Sequence, residues 1–197
     1  MRVIGGEWGG RHLVVPRGRA VRPTSDRVRE AMFDMLEARD LVDGARVVDL
    51  FAGSGALGLE ALSRGAAFAT FVDTSAEAVA AIRGNLATLD GQGPSRAKVV
   101  QGDALRFLAG GIDADLVLCD PPYAFTAWEE LLGAVRADWG LFESRLELEL
   151  EPQELAAGGW VLVKGRRYGT TLVTLARRAR PAAGCSARRE IPEGGGG

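Results

Sequence analysis

The chain has 197 residues, of which 47% are hydrophobic and 25% charged, with a formal net charge of −2. That length and composition suit one domain with a substantial core, and no apolar run reaches the roughly 18 residues needed to cross a bilayer. The N-terminus lacks the apolar stretch of a secretion signal, and Cys119, Cys185 and the single histidine, His12, supply neither a disulfide framework nor a zinc cluster, so a cytoplasmic protein with no membrane segment and no metal is expected.

Residues 3–22 are rich in Gly and Arg, with short apolar pieces at Val3–Ile4 and Leu13–Val15, and read as a small hairpin or irregular arm. Pro23 with Thr24 or Ser25 then punctuates the start of a helix. Val28, Ala31, Met32, Met35 and Leu36 recur at helical spacing along it. Arg27, Glu30, Asp34 and Glu37 fall on its other face, with Arg29 towards the border.

From residue 46 strands and helices alternate. RVVDLF, AFATFVD, AKVVQGD and ADLVLCD read as strands. Between them lie GALGLEALSRG, a helix closed by Gly65, then SAEAVAAIRGNLATL, a helix capped by Ser75, and the short ALRFLAG. TAWEELLGAVRADWG reads as a fourth helix, RLELELE as a strand of period two, and WVLVKGRRYG with TTLVTLARRA as a terminal hairpin. Such alternation predicts a doubly wound, mainly parallel sheet with helices on both faces. Ligands then bind beyond the carboxyl ends of the strands. PAAGCSARREIPEGGGG lacks apolar periodicity and is expected to be disordered.

The charge is unevenly spread. Residues 1–30 carry +4, residues 31–163 carry −12 and residues 164–197 carry +6. Basic ends around an acidic middle suggest a polyanionic partner such as a nucleic acid, and equally fit solvated Arg-rich termini.

Gly53, Gly55 and Gly58 complete a G-x-G-x-x-G turn after the first strand, a pattern that nicotinamide, flavin and methyl-transfer enzymes share. The flanking acids separate these classes. Asp49, just before the loop, would repel a pyrophosphate but suits a ligand carrying an ammonium and a sulfonium, such as S-adenosyl-L-methionine. Asp73 ends the second strand, where a carboxylate can accept from ribose hydroxyls, as it also does in nicotinamide sites. Asp103 follows the third strand and could meet an adenine amino group or simply cap a helix.

The fourth strand ends in Asp120-Pro121-Pro122-Tyr123. An exocyclic amine on a nucleobase is a poor nucleophile because its lone pair is delocalised into the ring. The Asp120 carboxylate and the Pro121 carbonyl could accept its two N–H groups and free that pair. Two prolines fix φ near −65° and stiffen the turn, and Tyr123 offers a ring on which a base can stack. A Pro-Pro turn also occurs as a plain structural device.

These motifs resemble a known family. DLFAGSGALGLEALSRGA followed by DPPY resembles the class I S-adenosylmethionine-dependent amino-methyltransferases. RVIGGEWGGRHLVVP, RPTSDRVREAMFDML and RRYGTTLVTLARR resemble, more narrowly, the bacterial 16S rRNA guanine-N2 methyltransferases, over roughly residues 2–178. The resemblance implies a Rossmann-like seven-stranded sheet with a C-terminal antiparallel hairpin, and methyl transfer to N2 of one guanine of 16S rRNA in a 30S or late assembly particle by a monomer. It implies an rRNA-contacting arm and helix over 1–40, a methyltransferase domain over 41–180 and a separate tail over 181–197. It further implies cofactor contacts from Gly53, Gly55, Asp73, Asp103 and Ala104, a base held by Asp120, Pro121, Pro122 and Tyr123, and rRNA phosphates touched by Arg22, Arg27 and Arg29. The second strand departs from the family in ending FVDTS, where a glutamate is usual.

The other readings keep or drop the chemistry. An adenine-N6 DNA or RNA enzyme, or a protein-glutamine enzyme, would use the same DPPY. A non-catalytic ribosome-assembly factor would not need it. A nicotinamide dehydrogenase would want a general acid, and the only histidine lies in the arm.

Overall fold

The structure is a computed structural model that describes residues 1–16, 26–90, 95–145 and 152–179. The arm precedes helix α1 (Asp26–Glu37). Then follow β1 (Arg46–Leu50), α2 (Ala56–Ser63), β2 (Phe68–Asp73), α3 (Ala76–Asp90), β3 (Ala97–Gln101), α4 (Ala104–Ala109) and β4 (Ala114–Cys119). The chain closes with α5 (Trp128–Ala134), β5 (Ala137–Arg145), α6 (Pro152–Ala157), β6 (Trp160–Tyr168) and β7 (Thr171–Arg178).

Seven strands form one sheet in the order β3-β2-β1-β4-β5-β7-β6. The first five run parallel, and β7 lies antiparallel between β5 and β6. Because short strand–helix–strand crossovers are right-handed, β1→β2→β3 winds outwards one way and β4→β5 the other. The switch point lies between β1 and β4, where Leu50 pairs with Cys119. Two buried clusters fill the faces. One gathers Met32, Phe33 and Leu36 of α1 with Leu59 and Leu62 of α2 and Ile82 of α3. The other gathers Leu108 of α4 with Leu131 and Leu132 of α5 and Leu155 of α6.

The predicted strands and the terminal hairpin form as expected, but the region after β4 differs. The helix expected over 126–140 stops at Ala134. Val135 is already extended, with φ −64° and ψ 128°. Residues 137–142 instead form the first part of β5, paired in parallel with β4 through Ala114–Ala137, Leu116–Trp139 and Leu118–Leu141. A buried sheet edge outweighs local helix propensity here. The strand expected over RLELELE begins inside β5 with Arg145, and its remainder lies outside the described residues, as does the tail 181–197. The short helix α6, opened by Pro152, has no counterpart in the sequence reading.

The arm is a bent ribbon closed by one antiparallel bridge between Arg2 and His12. It shares the main core: Val3, Trp8 and Leu13 are buried within the α1–α2 cluster. Its backbone is held by side chains of α2 and α3. Glu60, wholly buried, accepts from Ile4 N (2.7 Å) and Gly5 N (2.8 Å). Ser63 Oγ accepts from Trp8 N (2.8 Å) and donates to Gly5 O (2.6 Å). Asn85 Oδ1 accepts from Val14 N (2.8 Å). Glu60 also pairs with Arg64 (2.7 Å) and lies 4.0 Å from Arg29. No described helix is long and apolar enough to cross a membrane.

Removing one member of a buried charged cluster strands the others, at a cost of about 3–5 kcal/mol. Glu60→Ala leaves two backbone amides without their acceptor and takes the buried carboxylate from Arg64 and Arg29, which keep only the half-exposed Glu37 and Asp26; it should therefore lower the unfolding free energy by that order, measured by urea titration followed by circular dichroism.

Candidate active site

The turn from β1 into α2 begins with strain. Phe51 sits at φ 58°, a left-handed conformation that costs a bulky residue about 1–2 kcal/mol. Gly53 and Gly55 adopt φ 58° and 79°, and Gly55 is the N-cap of α2. Gly58 answers a packing need: a Cβ there would stand 2.3 Å from the Phe71 ring, so only glycine lets α2 lie this close to β2.

Three acids organise this loop. Asp49 is buried, and its Oδ2 accepts from Gly58 N at 2.9 Å. Burial, against the opposing help of that amide and with further repulsion from Asp120 and Asp73, pushes its carboxyl up to about 8. Asp73 closes the other side: Oδ2 accepts from Gly53 N (2.8 Å) and Oδ1 from Ser75 N (2.9 Å). It thereby fixes the glycine loop against the start of α3. Asp103 is exposed and caps α4, accepting from Arg106 N at 3.0 Å, with Ala104 buried behind it.

Asp120 follows β4 directly, one strand away from the loop. Pro121 is buried while Pro122 and Tyr123 are exposed. Phe125 N donates to Pro122 O (2.8 Å), closing the turn. Among the described residues no backbone donor is spent on the Pro121 carbonyl. The two loops touch through rings: Phe51 and Phe125 meet edge-on with centroids 5.1 Å apart, and Phe125 meets Trp128 at 5.4 Å. Cys119, buried beneath Asp120, has its thiol pushed well up by burial, with Asp120 and Asp49 adding to the effect; it is an inert core residue.

The structure thus brings Asp49, Gly53, Gly55, Asp73, Asp103, Ala104 and the Asp120–Tyr123 turn to one edge of the sheet, as the sequence predicts. The basic set fares differently. Arg27 is exposed in the first turn of α1, beside Asp26, which pairs with Arg2. Arg22 lies outside the described residues. Arg29 corrects the expectation of a phosphate contact: it is 1% exposed, pairs with Asp26 (3.1 Å) and donates to the Arg2 carbonyl. Its partners on α2 and the arm come from distant sequence, which a single-helix reading cannot see.

A cleft beside the turn is walled by Asp120, Pro121, Pro122, Tyr123, Phe125, Trp128, Glu143 and Ser144. The last four were not singled out from the sequence. Glu143 and Ser144 fell between a misplaced helix and the next expected strand, and only the parallel pairing of β5 with β4 carries them to the edge. Arg166 and Arg167, exposed on β6, share this edge too, because Ser144 and Arg167 both pair with Leu172 of β7.

A parallel sheet with one antiparallel strand near its end, a glycine loop after β1 and acids closing β2 and β4 defines a Rossmann-like methyltransferase fold. Over residues 1–177 the chain matches the family model described as Conserved hypothetical protein 95, and it belongs to that family. Ribosomal RNA small subunit methyltransferase D of Escherichia coli strain K12 is 39% identical over 183 residues, covering 90% of each chain. The protein of that name from Haemophilus influenzae is 33% identical over 175 residues, covering 86% of this chain and 89% of its own. The solved structure of the Escherichia coli protein yhhF is 36% identical with a TM-score of 0.77, covering 92% of this chain and 99% of its own.

An acid raised in the folded state takes up a proton on folding between its unfolded value of about 3.9 and its folded value. Asp49 therefore makes the ligand-free protein progressively less stable from about pH 4 to about pH 8, by up to roughly 5 kcal/mol. Asp49→Asn, which keeps an acceptor for Gly58 N, should flatten this fall. Melting temperatures across pH 5–8.5 would show a downward slope in the parent and a shallower one in the variant.

Proposed function

We propose that the chain transfers a methyl group from S-adenosyl-L-methionine to the exocyclic N2 of a guanine in 16S rRNA, within a 30S or late assembly particle. One observation carries the reading: the rigid Asp120-Pro121-Pro122-Tyr123 turn stands on the strand adjoining the glycine loop, with Leu50 opposite Cys119. Methyl acceptor and donor would then meet across a single strand spacing.

The residues of the loop suit the donor. Asp49 offers a carboxyl already under pressure from its surroundings, which a cationic ligand would relieve by favouring the ionised form. Asp73 closes β2, where its carboxylate would meet ribose hydroxyls. Asp103 and Ala104 lie at the start of α4, within the edge an adenine would occupy. When bound, this group supplies an electrophilic methyl whose S–C electron pair leaves with the sulfur.

The chain's own part is to make the amine reactive. The Asp120 carboxylate and the Pro121 carbonyl accept its two N–H groups, so the nitrogen pyramidalises and directs its lone pair at the methyl. As the new N–C bond forms, Asp120 takes the proton the nitrogen sheds. Tyr123, 45% exposed, stacks on the base and holds it in the plane this requires. Both acceptors are fixed before the base arrives, and such preorganisation is where most of the acceleration arises. Arg166 and Arg167 on β6 would meet phosphates beside the cleft, and the exposed Arg27 on α1 would meet phosphates elsewhere along the RNA.

Labelled S-adenosyl-L-methionine supplied in parallel with naked 16S rRNA, 30S particles and duplex DNA, followed by nucleoside mass spectrometry, tests the reading. N2-methylguanosine from small-subunit RNA is expected; label in adenine, in DNA or in protein would replace it with another member of the amino-methyltransferases. Asp120→Ala should lower kcat by about 10²–10³-fold while cofactor affinity, measured by calorimetry, stays near the parent value. Arg27→Glu should weaken substrate binding and reduce the slope of log affinity against log salt by about one.

A further inference from the structure

Side chains from three elements hold the glycine loop. Asp73 of β2 fixes the Gly53 amide and Asp49 of β1 the Gly58 amide. Between them lies the Ser54–Gly55 peptide unit. Its N–H donates to Ala52 O (2.7 Å), and its carbonyl accepts from Asn85 Nδ2 of α3 (3.0 Å). A peptide unit is planar, so holding the carbonyl also sets the direction of the N–H. Glycines flank Ser54 at φ 58° and 79°, and glycine has the widest choice of backbone conformations. The plane therefore needs a fixed partner outside the loop, and Asn85 supplies it.

Asn85 has a second client. It is 2% exposed, and its Oδ1 accepts from Val14 N (2.8 Å) while its Nδ2 donates to Val14 O (3.0 Å). The carboxamide meets both polar groups of one arm residue, as a neighbouring strand would. With the bond to Ser54, both Nδ2 hydrogens are spent. Aspartate at this position would keep the acceptor and lose both donors. The arm also reaches the same loop residue directly: Ser54 Oγ donates to Met1 Sδ (3.2 Å), and Leu13 N donates to Met1 O (3.0 Å). Both ends of the arm ribbon thus converge on Ser54.

We propose that Asn85 is a positioning residue for the cofactor: by clamping Val14 and Ser54 with one amide, it makes the shape of the Gly53–Gly55 loop, and so its hold on S-adenosyl-L-methionine, depend on the arm being seated on α3. Coupling between two binding events is reciprocal, so the bound cofactor in turn holds Val14 in place. The inference rests on the cofactor placement proposed above and is independent of which base is methylated.

Two full-length variants test it. Val14→Pro deletes the N–H given to Asn85 and alters no loop residue; the Val14 side chain is 65% exposed, so no core packing is lost. Asn85→Asp sets a carboxylate against the Val14 and Ser54 carbonyls. Both, checked for folding by circular dichroism, should bind S-adenosyl-L-methionine about fivefold or more weakly than the parent in calorimetry. Leu155→Ala, in the other core cluster, should lower the melting temperature and leave that affinity at the parent value, which separates positioning from general loss of stability. If Asn85→Asp does not fold, Val14→Pro decides alone. Parent affinity in Val14→Pro would overturn the inference, as would an equal loss of affinity in Leu155→Ala. Failure of the parent itself to bind would instead defeat the proposed function.

Discussion

β1 and β4 are separated by more than sixty residues, yet they lie side by side with Leu50 opposite Cys119. The chain therefore leaves both strands at the same height, and whatever follows each is forced to share the gap between them. After β1 comes a turn that exposes backbone amides; after β4 comes one stiffened by two prolines. The helices that follow diverge to opposite faces, which keeps the gap open. Asp49, Asp73 and Asp120 border that gap, and the repulsion of Asp49 by the other two is part of what makes it receptive to a cation.

The surrounding structure exists to hold those two turns. Asp73 ties the glycine loop to the start of α3, and Asp49 ties it to α2. Below them Glu60 anchors the arm, Arg64 and, more distantly, Arg29. The arm, which its composition suggests is a loose basic extension, is thus fastened along α2 and α3, and its exposed charge reaches the solvent from a fixed platform. Arginine serves two purposes within a few residues of α1: Arg27 faces water, while Arg29, drawn down by burial and held up by Glu60 and Asp26, completes the interior.

Much of this was legible because the signals were local. Strand–helix alternation, the glycine spacing and the DPPY turn depend on neighbours within a dozen residues, and each landed at the edge that parallel topology requires. What escaped notice depended on partners far along the chain. Residues 137–140 carry helix-compatible composition, and only the open flank of β4 turns them into strand. Glu143 and Ser144 have no motif of their own; their meaning comes from standing next to Asp120. Arg29 looks like its neighbour Arg27 until Glu60, thirty-one residues on, is placed beside it.

The contorted backbone at Phe51 turns its ring towards Phe125, and that ring in turn leans on Trp128. Donor loop and acceptor loop are for this reason a single mechanical body rather than two independent jaws. Loss of either ring at the Phe51–Phe125 contact would therefore disturb both turns at once while leaving every acid in place.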